Sequence, residues 1–204
     1  ELRGQSVLTH TLNVFASLPE IEKIVLVVRH GEEEICQKMI PPAALAKTDM
    51  ACGGKERQDS VYNGIKAISW ECDYILIHDG ARPLVTEEVI RRTLDAAQNY
   101  GAAVCAVPVK DTIKQVDENG NVLATIPRHT LRAVQTPQVF RADLIRQAYD
   151  YAYARNYYGT DDASLLEYMG AEVKIVTGDY ENIKITTPED IPTAEQILKK
   201  RAGV

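Results

Sequence analysis

Asp79 and Arg82 stand three residues apart in His78-Asp79-Gly80-Ala81-Arg82-Pro83, directly after the apolar run Tyr74 to Ile77. A short apolar run rich in β-branched residues and ended by Gly and Pro reads as a strand buried on both faces. Ligands of open α/β sheets sit just beyond the carboxyl ends of such strands, which is where this Asp and Arg fall. The pair could hold a charged ligand there, or it could merely tie down a loop. A second candidate is Gly53-Gly54-Lys55-Glu56-Arg57-Gln58-Asp59-Ser60, between a short strand candidate and a helix. Gly-Gly ahead of a helix start lets backbone amides approach a ligand closely, although an ordinary strand-to-helix turn has the same form. Lys184 in Asn182-Ile183-Lys184-Ile185-Thr186 is the lone cation of a short apolar piece, either functional or a surface Lys on an edge strand. His78 alternates away from Asp79 along the strand and reads as structural.

The surrounding pattern supplies a frame for these residues. Ser6 caps a helix with apolar positions Val7, Leu8, Leu12, Phe15 and Leu18. Ile21 to Val28 reads as a buried strand, Gly31 to Met39 as a helix, and Lys47 to Ala51 as a short strand. A helix follows the Gly-Gly turn through Ile68, and Thr86 caps another to about Tyr100, with Gly101 as its stop. Ala102 to Val109 is again a buried strand. This alternation predicts an α/β fold, a Rossmann-like, mainly parallel sheet with helices on both faces. Residues 108–137 break the rhythm: Thr112 to Val116 and Val122 to Ile126 flank Asn119-Gly120, a strong hairpin signal, and Leu131 to Gln135 returns toward the body. A polar hairpin with exposed edges predicts a projecting arm that pairs with a second copy of the chain. Helices over Arg141 to Arg155 and from Thr160 to Tyr168, a strand at Ala171 to Val176 and a closing helix opened by Pro188 complete the reading.

Composition narrows the function. The chain has 204 residues, 45% of them hydrophobic, with a net charge of −6. That suits one folded α/β domain and argues against a broad nucleic-acid surface, while leaving room for a local basic pocket for a phosphorylated small molecule. The four cysteines, Cys36, Cys52, Cys72 and Cys105, show no Cys-x-x-Cys spacing and no metal-ligand pairing with the four histidines. They read as buried, reduced thiols of a cytoplasmic protein, with no protein-held metal site expected and no role for His10, His30 or His129. There is no signal-peptide pattern and no apolar run long enough for a membrane span.

Taken together, Gly53-Gly54-x-Glu56-Arg57-x-Asp59-Ser60-Val61, His78 to Pro83, Lys110-Asp111-Thr112, Thr136-Pro137-Gln138 and Asp179 to Thr186 closely resemble, in this order, the 2-C-methyl-D-erythritol 4-phosphate cytidylyltransferases of the non-mevalonate isoprenoid pathway. The resemblance runs from the first helix to the last. It implies a homodimer joined by the arm and a Mg²⁺-dependent transfer of the cytidylyl group of CTP to the alcohol phosphate, the metal held mainly by the CTP phosphates. It implies that Gly54, the backbone at Lys55, and Ser60 read the cytosine, and that Gly80 approaches the nucleotide through its backbone. Asp79 and Arg82 would hold the methylerythritol phosphate, Thr136 would add a substrate contact, and Lys184 would position the attacking phosphate. Arg128 and Thr112, on the arm, would reach the partner's site, with Arg128 and Lys184 the catalytic pair. An arm acting as a phosphate clamp would explain Lys110, Lys114, Arg128 and Arg132 in an acidic protein.

Two departures stand out. Gly80 replaces the Ala of many family members. The family's opening strand and Gly-rich loop, roughly Pro-Ala-Ala-Gly-x-Gly-x-Arg-Met followed by Pro-Lys-Gln, are not among these residues. The expectation is a single nucleotidyltransferase domain over 1–204 that lacks this strand and loop, inactive if these residues are the whole molecule. An alternative is a cytidylyltransferase for ribitol 5-phosphate; another is a non-catalytic nucleotide-binding dimer module.

Overall fold

Local signals decide where the elements begin and end. The structure, a computed structural model, describes residues 1–203. Ser6 caps α1 (Val7–Ser17), its hydroxyl accepting from the Thr9 amide at 3.0 Å. Then come β1 (Ile24–Val28), α2 (Glu33–Met39), α3 (Pro42–Leu45), β2 (Thr48–Cys52), α4 (Arg57–Ala67) and β3 (Tyr74–Ile77). The start of α4 is held by reciprocal bonds between Glu56 and Asp59, the capping-box arrangement. Thr86 caps α5 (Glu87–Tyr100), and Gly101 ends it at φ 84°, the left-handed conformation that glycine adopts without penalty. The second half contains β4 (Ala102–Pro108), β5 (Lys114–Val116), β6 (Val122–Thr125), β7 (Arg132–Arg141), α6 (Ala142–Tyr153), α7 (Asp162–Tyr168), β8 (Lys174–Thr177) and α8 (Asp190–Arg201). Asp161, one residue after the expected Thr160, caps α7 by accepting from the Ser164 amide.

The sheet corrects the expected topology. β1 and β2 pair in parallel, and β4 pairs in parallel with β8, but β7 lies antiparallel between β3 and β4 in the order β3-β7-β4-β8. The fold is therefore mixed α/β rather than mainly parallel. Leu131 to Gln135, read as a return strand of the arm, is the front of this ten-residue strand, which runs into the core. Its middle hides from pattern reading because Gln135, Thr136 and Gln138 are polar yet buried. Burial is tolerated because each is bonded: Gln138 donates to Asp161 at 2.8 Å and accepts from the Ala163 amide at 3.0 Å. Around β3, β4 and β7 pack Phe140, Ile145, Tyr149, Leu165 and Leu166, all fully buried.

β5 and β6 form the expected hairpin, turned by Asp117, whose carboxylate accepts from the Asn119 and Asn121 amides, and by Gly120 at φ 82°. β1 and β3 each keep one strand edge unpaired among the described residues, and both line a cleft of about 1660 Å³. Asn182 to Thr186 is an extended loop rather than a strand, tied to the loop after β3 by the Ile185 amide donating to the Ala81 carbonyl.

Candidate active site

At the carboxyl end of β3, three cations converge on one carboxylate. Lys184 Nζ lies 3.1 Å from Asp79 Oδ2, Arg82 Nε 3.5 Å from the same oxygen, and Arg57 Nε 3.5 Å from Oδ1. Burial alone would raise the Asp79 carboxyl, but the Lys184 hydrogen bond and the charges of Arg57, Lys184 and Arg82 outweigh it and hold the group below its ordinary range. Asp79 is thus an ionised anchor. Arg57 is shared, since it also donates at 2.8 Å to Asp162, a carboxylate 1% exposed that accepts from Tyr149 as well. One carboxylate cannot neutralise Lys184 and Arg82 together, so the group retains positive charge in a chain of net charge −6. The Arg82 Nε–H is buried without a hydrogen-bond partner among the described residues. Leaving a buried donor unbonded costs about 1–3 kcal/mol, which an anionic oxygen at the site would recover.

Asp79 is placed from beneath. Its amide donates to Thr136 Oγ1 at 3.0 Å, and that hydroxyl lies 3.1 Å from His78 Nδ1. His78 Nε2 sits 3.2 Å from the Arg82 carbonyl, which assigns the proton to Nε2 and makes Nδ1 the acceptor from Thr136. Burial pushes the imidazole down to about 4, so it is neutral at physiological pH. Thr136 is buried and has its donor and an acceptor position engaged, so in this structure it supports Asp79 from below. The loop bearing Lys184 is braced likewise. Gln135 bonds the Asp179 amide and carbonyl, Asn182 Nδ2 donates to the Thr136 carbonyl at 2.9 Å, and Arg82 donates to the Asn182 carbonyl at 2.8 Å.

The Gly53-Gly54 turn follows β2 at the same end of the fold. Ser60 Oγ accepts from the Gly54 amide at 3.0 Å and donates to the Glu56 carbonyl at 3.1 Å, so the turn is closed on itself. A Cβ on Gly54 would fall 2.3 Å from Asp59 Cβ; only glycine fits. Gly80 differs: an added Cβ would meet nothing nearer than Leu8 at 3.5 Å, an ordinary contact, so Ala would fit there without strain. Thr11 donates to the Gly80 carbonyl at 2.8 Å and fixes that backbone. Lys55 is exposed on the turn.

Arg128 and Thr112 lie apart from this cluster in the chain's own bonding. Arg128 begins a short 3₁₀ turn after β6, donates to the Lys110 carbonyl, and lines with Arg132, His129, Pro108 and Val109 a shallow recess. Thr112 is exposed at the arm's base. No contact joins either residue to Asp79 among the described residues. Tyr180 ties the two regions: its hydroxyl donates to the Pro108 carbonyl at 2.7 Å and Lys110 Nζ lies 3.8 Å above its ring.

Sequence reasoning gave Arg57, Gln135, Asn182 and Thr11 no role. Arg57 stood inside the Gly53 to Val61 motif, and that was signal enough to ask what it pairs with. The other three carried none, because their partners lie 44 to 69 residues away.

Residues 1–200 match the family model described as 2-C-methyl-D-erythritol 4-phosphate cytidylyltransferase, IspD. The 2-C-methyl-D-erythritol 4-phosphate cytidylyltransferase of Alkaliphilus oremlandii is 48% identical over 203 residues, 98% of this chain and 86% of that protein. Among solved structures, the 4-diphosphocytidyl-2C-methyl-D-erythritol synthase of Anaerococcus prevotii superposes with a TM-score of 0.89 at 35% identity, covering 98% of this chain and 88% of its own. The cytidylyltransferase of Thermus thermophilus gives 0.82 at 33%, covering 98% and 91%. The motifs around Asp79, Gly54 and Lys184 thus sit in a chain that matches these proteins almost end to end, and the chain belongs to the 2-C-methyl-D-erythritol 4-phosphate cytidylyltransferase family.

Proposed function

We propose that this chain transfers the cytidylyl group of CTP to 2-C-methyl-D-erythritol 4-phosphate in isoprenoid precursor biosynthesis, releasing pyrophosphate. The observation that carries the reading is the convergence of Lys184, Arg82 and Arg57 on Asp79. A phosphate monoester has a second pKa of about 6, so at neutral pH it arrives mostly as a dianion, already a nucleophile. Its oxygen attacks the α-phosphorus of CTP, the new P–O bond forms as the bond to the β-phosphate oxygen breaks, and pyrophosphate leaves. No general base is needed, and Asp79, ionised and ringed by cations, is suited to holding those cations in place. Lys184 and Arg82 supply fixed positive charge where the acceptor phosphate and the developing transition-state charge would lie. The Gly53-Gly54 turn, with Lys55 and Ser60, takes the cytosine, and Gly80 meets the nucleotide through its backbone.

Mg²⁺ belongs to the same proposal. The hard carboxylate oxygens of Asp79 would suit it as ligands, but with three cations within 3.5 Å of them the ion would be held mainly by the triphosphate of CTP. When bound, the ion neutralises charge on the triphosphate.

We read the arm as a dimer contact that brings Arg128 and Thr112 to the partner's site. Val116, Val122 and Leu123 are more than half exposed on its short strands, apolar surface and open edges of the kind a second copy covers. We read residues 1–204 as one nucleotidyltransferase domain, with the cleft between β1 and β3, flanked by two unpaired edges, as the place where the family's opening strand and Gly-rich loop would lie. That loop would supply the triphosphate cradle. No helix among the described residues is long and apolar enough to cross a membrane; we place the enzyme in the cytoplasm, where CTP is available.

Pyrophosphate release, coupled to a reporter and run with both alcohol phosphates, tests the reading. Methylerythritol phosphate should turn over faster, and preference for ribitol 5-phosphate would overturn the substrate assignment. Lys184→Ala and Arg128→Ala should each lower turnover by a factor on the order of 100 or more with the dimer intact. Mixing the two variant chains should restore part of the activity; wild-type rates in either, or no recovery, would count against the shared site.

A further inference from the structure

The ends of β1 and β2 gather three groups that the cytidylyl-transfer reading does not use. His30 follows β1, Glu33 opens α2, and Cys52 is the last residue of β2, in register with Val28 and exposed at the strand's end rather than buried as expected of the thiols. His30 Nδ1 lies 3.4 Å from Glu33 Oε1, and Cys52 Sγ lies 3.3 Å from the same oxygen. All three ligand atoms fall within 4.8 Å of one another.

Those spacings can be compared with what a metal requires. A tetrahedral ion bonded at about 2.0–2.3 Å to nitrogen, oxygen and sulfur sets its ligands about 3.3–3.8 Å apart. Two of the three separations already lie at that distance. The third, between His30 Nδ1 and Cys52 Sγ, is at most 4.8 Å, and the His30 side chain, 92% exposed, has room to turn. A thiolate with an imidazole selects a borderline-soft ion over Mg²⁺ or Ca²⁺, which take oxygen ligands. The set is therefore distinct in kind from the oxygen environment at Asp79.

We propose that His30, Glu33 and Cys52 form a surface site for a zinc-class divalent cation, with three protein ligands and a fourth position open to water. The ion displaces the Cys52 thiol proton to solvent and forms the metal–sulfur bond in its place. Glu33 is already ionised, its carboxyl held below the usual range chiefly by backbone amides and then by the Cys52 thiol. The site adjoins the nucleotide turn: the Gly53 amide, next to Cys52, donates to the Val28 carbonyl at 2.7 Å. A bound ion would cross-link the loop after β1, the start of α2 and the strand that carries Gly53-Gly54, stiffening the turn from outside. This holds whether or not the chain transfers cytidylyl groups.

The test uses the whole chain, stripped of metal by chelation, with ZnCl₂ alone as probe in calorimetry and Co²⁺ alone as spectroscopic probe. One zinc should bind per chain, and Co²⁺ should give a thiolate-to-metal charge-transfer band. Cys52→Ser and His30→Ala, both at exposed positions, should each weaken zinc by about tenfold or more, and Cys52→Ser should abolish the band. Cys36→Ser, one turn along α2, should change neither. Absence of zinc binding in the unmodified chain would overturn the proposal. So would binding that survives Cys52→Ser unchanged, or a band lost with Cys36 rather than Cys52. Circular dichroism of each variant separates loss of a ligand from loss of fold.

Discussion

Replacing His78 by Gln should make the protein less sensitive to acid, by an amount the burial of His78 sets. The ring is largely buried, donates through Nε2 to the Arg82 carbonyl and accepts at Nδ1 from Thr136. Burial lowers it from 6.5 to about 4. The sign follows from proton binding: below 6.5 the unfolded chain takes up a proton that the folded chain refuses. Stability from this group is therefore complete above 6.5 and is lost as pH falls toward 4. Between about pH 7.5 and 4.5 the loss is about 2.5 kcal/mol, from 1.36 kcal/mol per pH unit and the two titration curves. Urea unfolding at both pH values, on the wild type and His78→Gln, measures it. Every other titrating group is common to both proteins and cancels, so the wild type should lose about 2.5 kcal/mol more than the variant over that interval. Equal losses would refute the assignment of a buried neutral imidazole. The consequence reaches the site, because a charged His78 could no longer accept from Thr136, whose hydroxyl holds the Asp79 amide.

Gly54→Ala places a methyl 2.3 Å from Asp59 Cβ, so the turn must open. CTP affinity, read by calorimetry, should fall by at least roughly tenfold, with a stability loss of about 1–3 kcal/mol; unchanged affinity would detach this turn from nucleotide binding. Arg57→Gln strands Asp162, 1% exposed, without its cation. Urea unfolding should show a loss on the order of 2–3 kcal/mol, cushioned by the Tyr149 hydrogen bond. A loss below about 0.5 kcal/mol would mean that water reaches Asp162 after all.

What could be read in the sequence and what could not divides along the range of the interactions. The starts of α1 and α5 were legible from Ser6 and Thr86, and the stop of α5 from Gly101, because a cap bonds amides within one turn of itself. The hairpin was legible from Asn119-Gly120 for the same reason. The motifs around Asp79 and Gly54 were legible because loop chemistry at a strand's end is carried by neighbours in the chain. β7 was not, since its polar middle reads as a surface segment until Asp161, Ala163, Asp179 and Asn182 arrive to satisfy it.

The amino-acid sequence by itself determined the α/β alternation and the hairpin and singled out Asp79, Arg82 and Lys184, since periodicity, turns and motif spacing are local properties. Only the tertiary structure decided that β7 lies antiparallel between β3 and β4. It alone brought Arg57 to Asp79 across 22 positions and Lys184 across 105. It also set His30 and Glu33 beside Cys52, where spacing had shown no metal-ligand pairing at all. The physical reason is that strand pairing and loop packing, not separation along the chain, decide which groups meet: parallel β1 and β2 set the end of β2 beside the loop after β1, and the Ile185 amide bonded to the Ala81 carbonyl carries Lys184 to the end of β3.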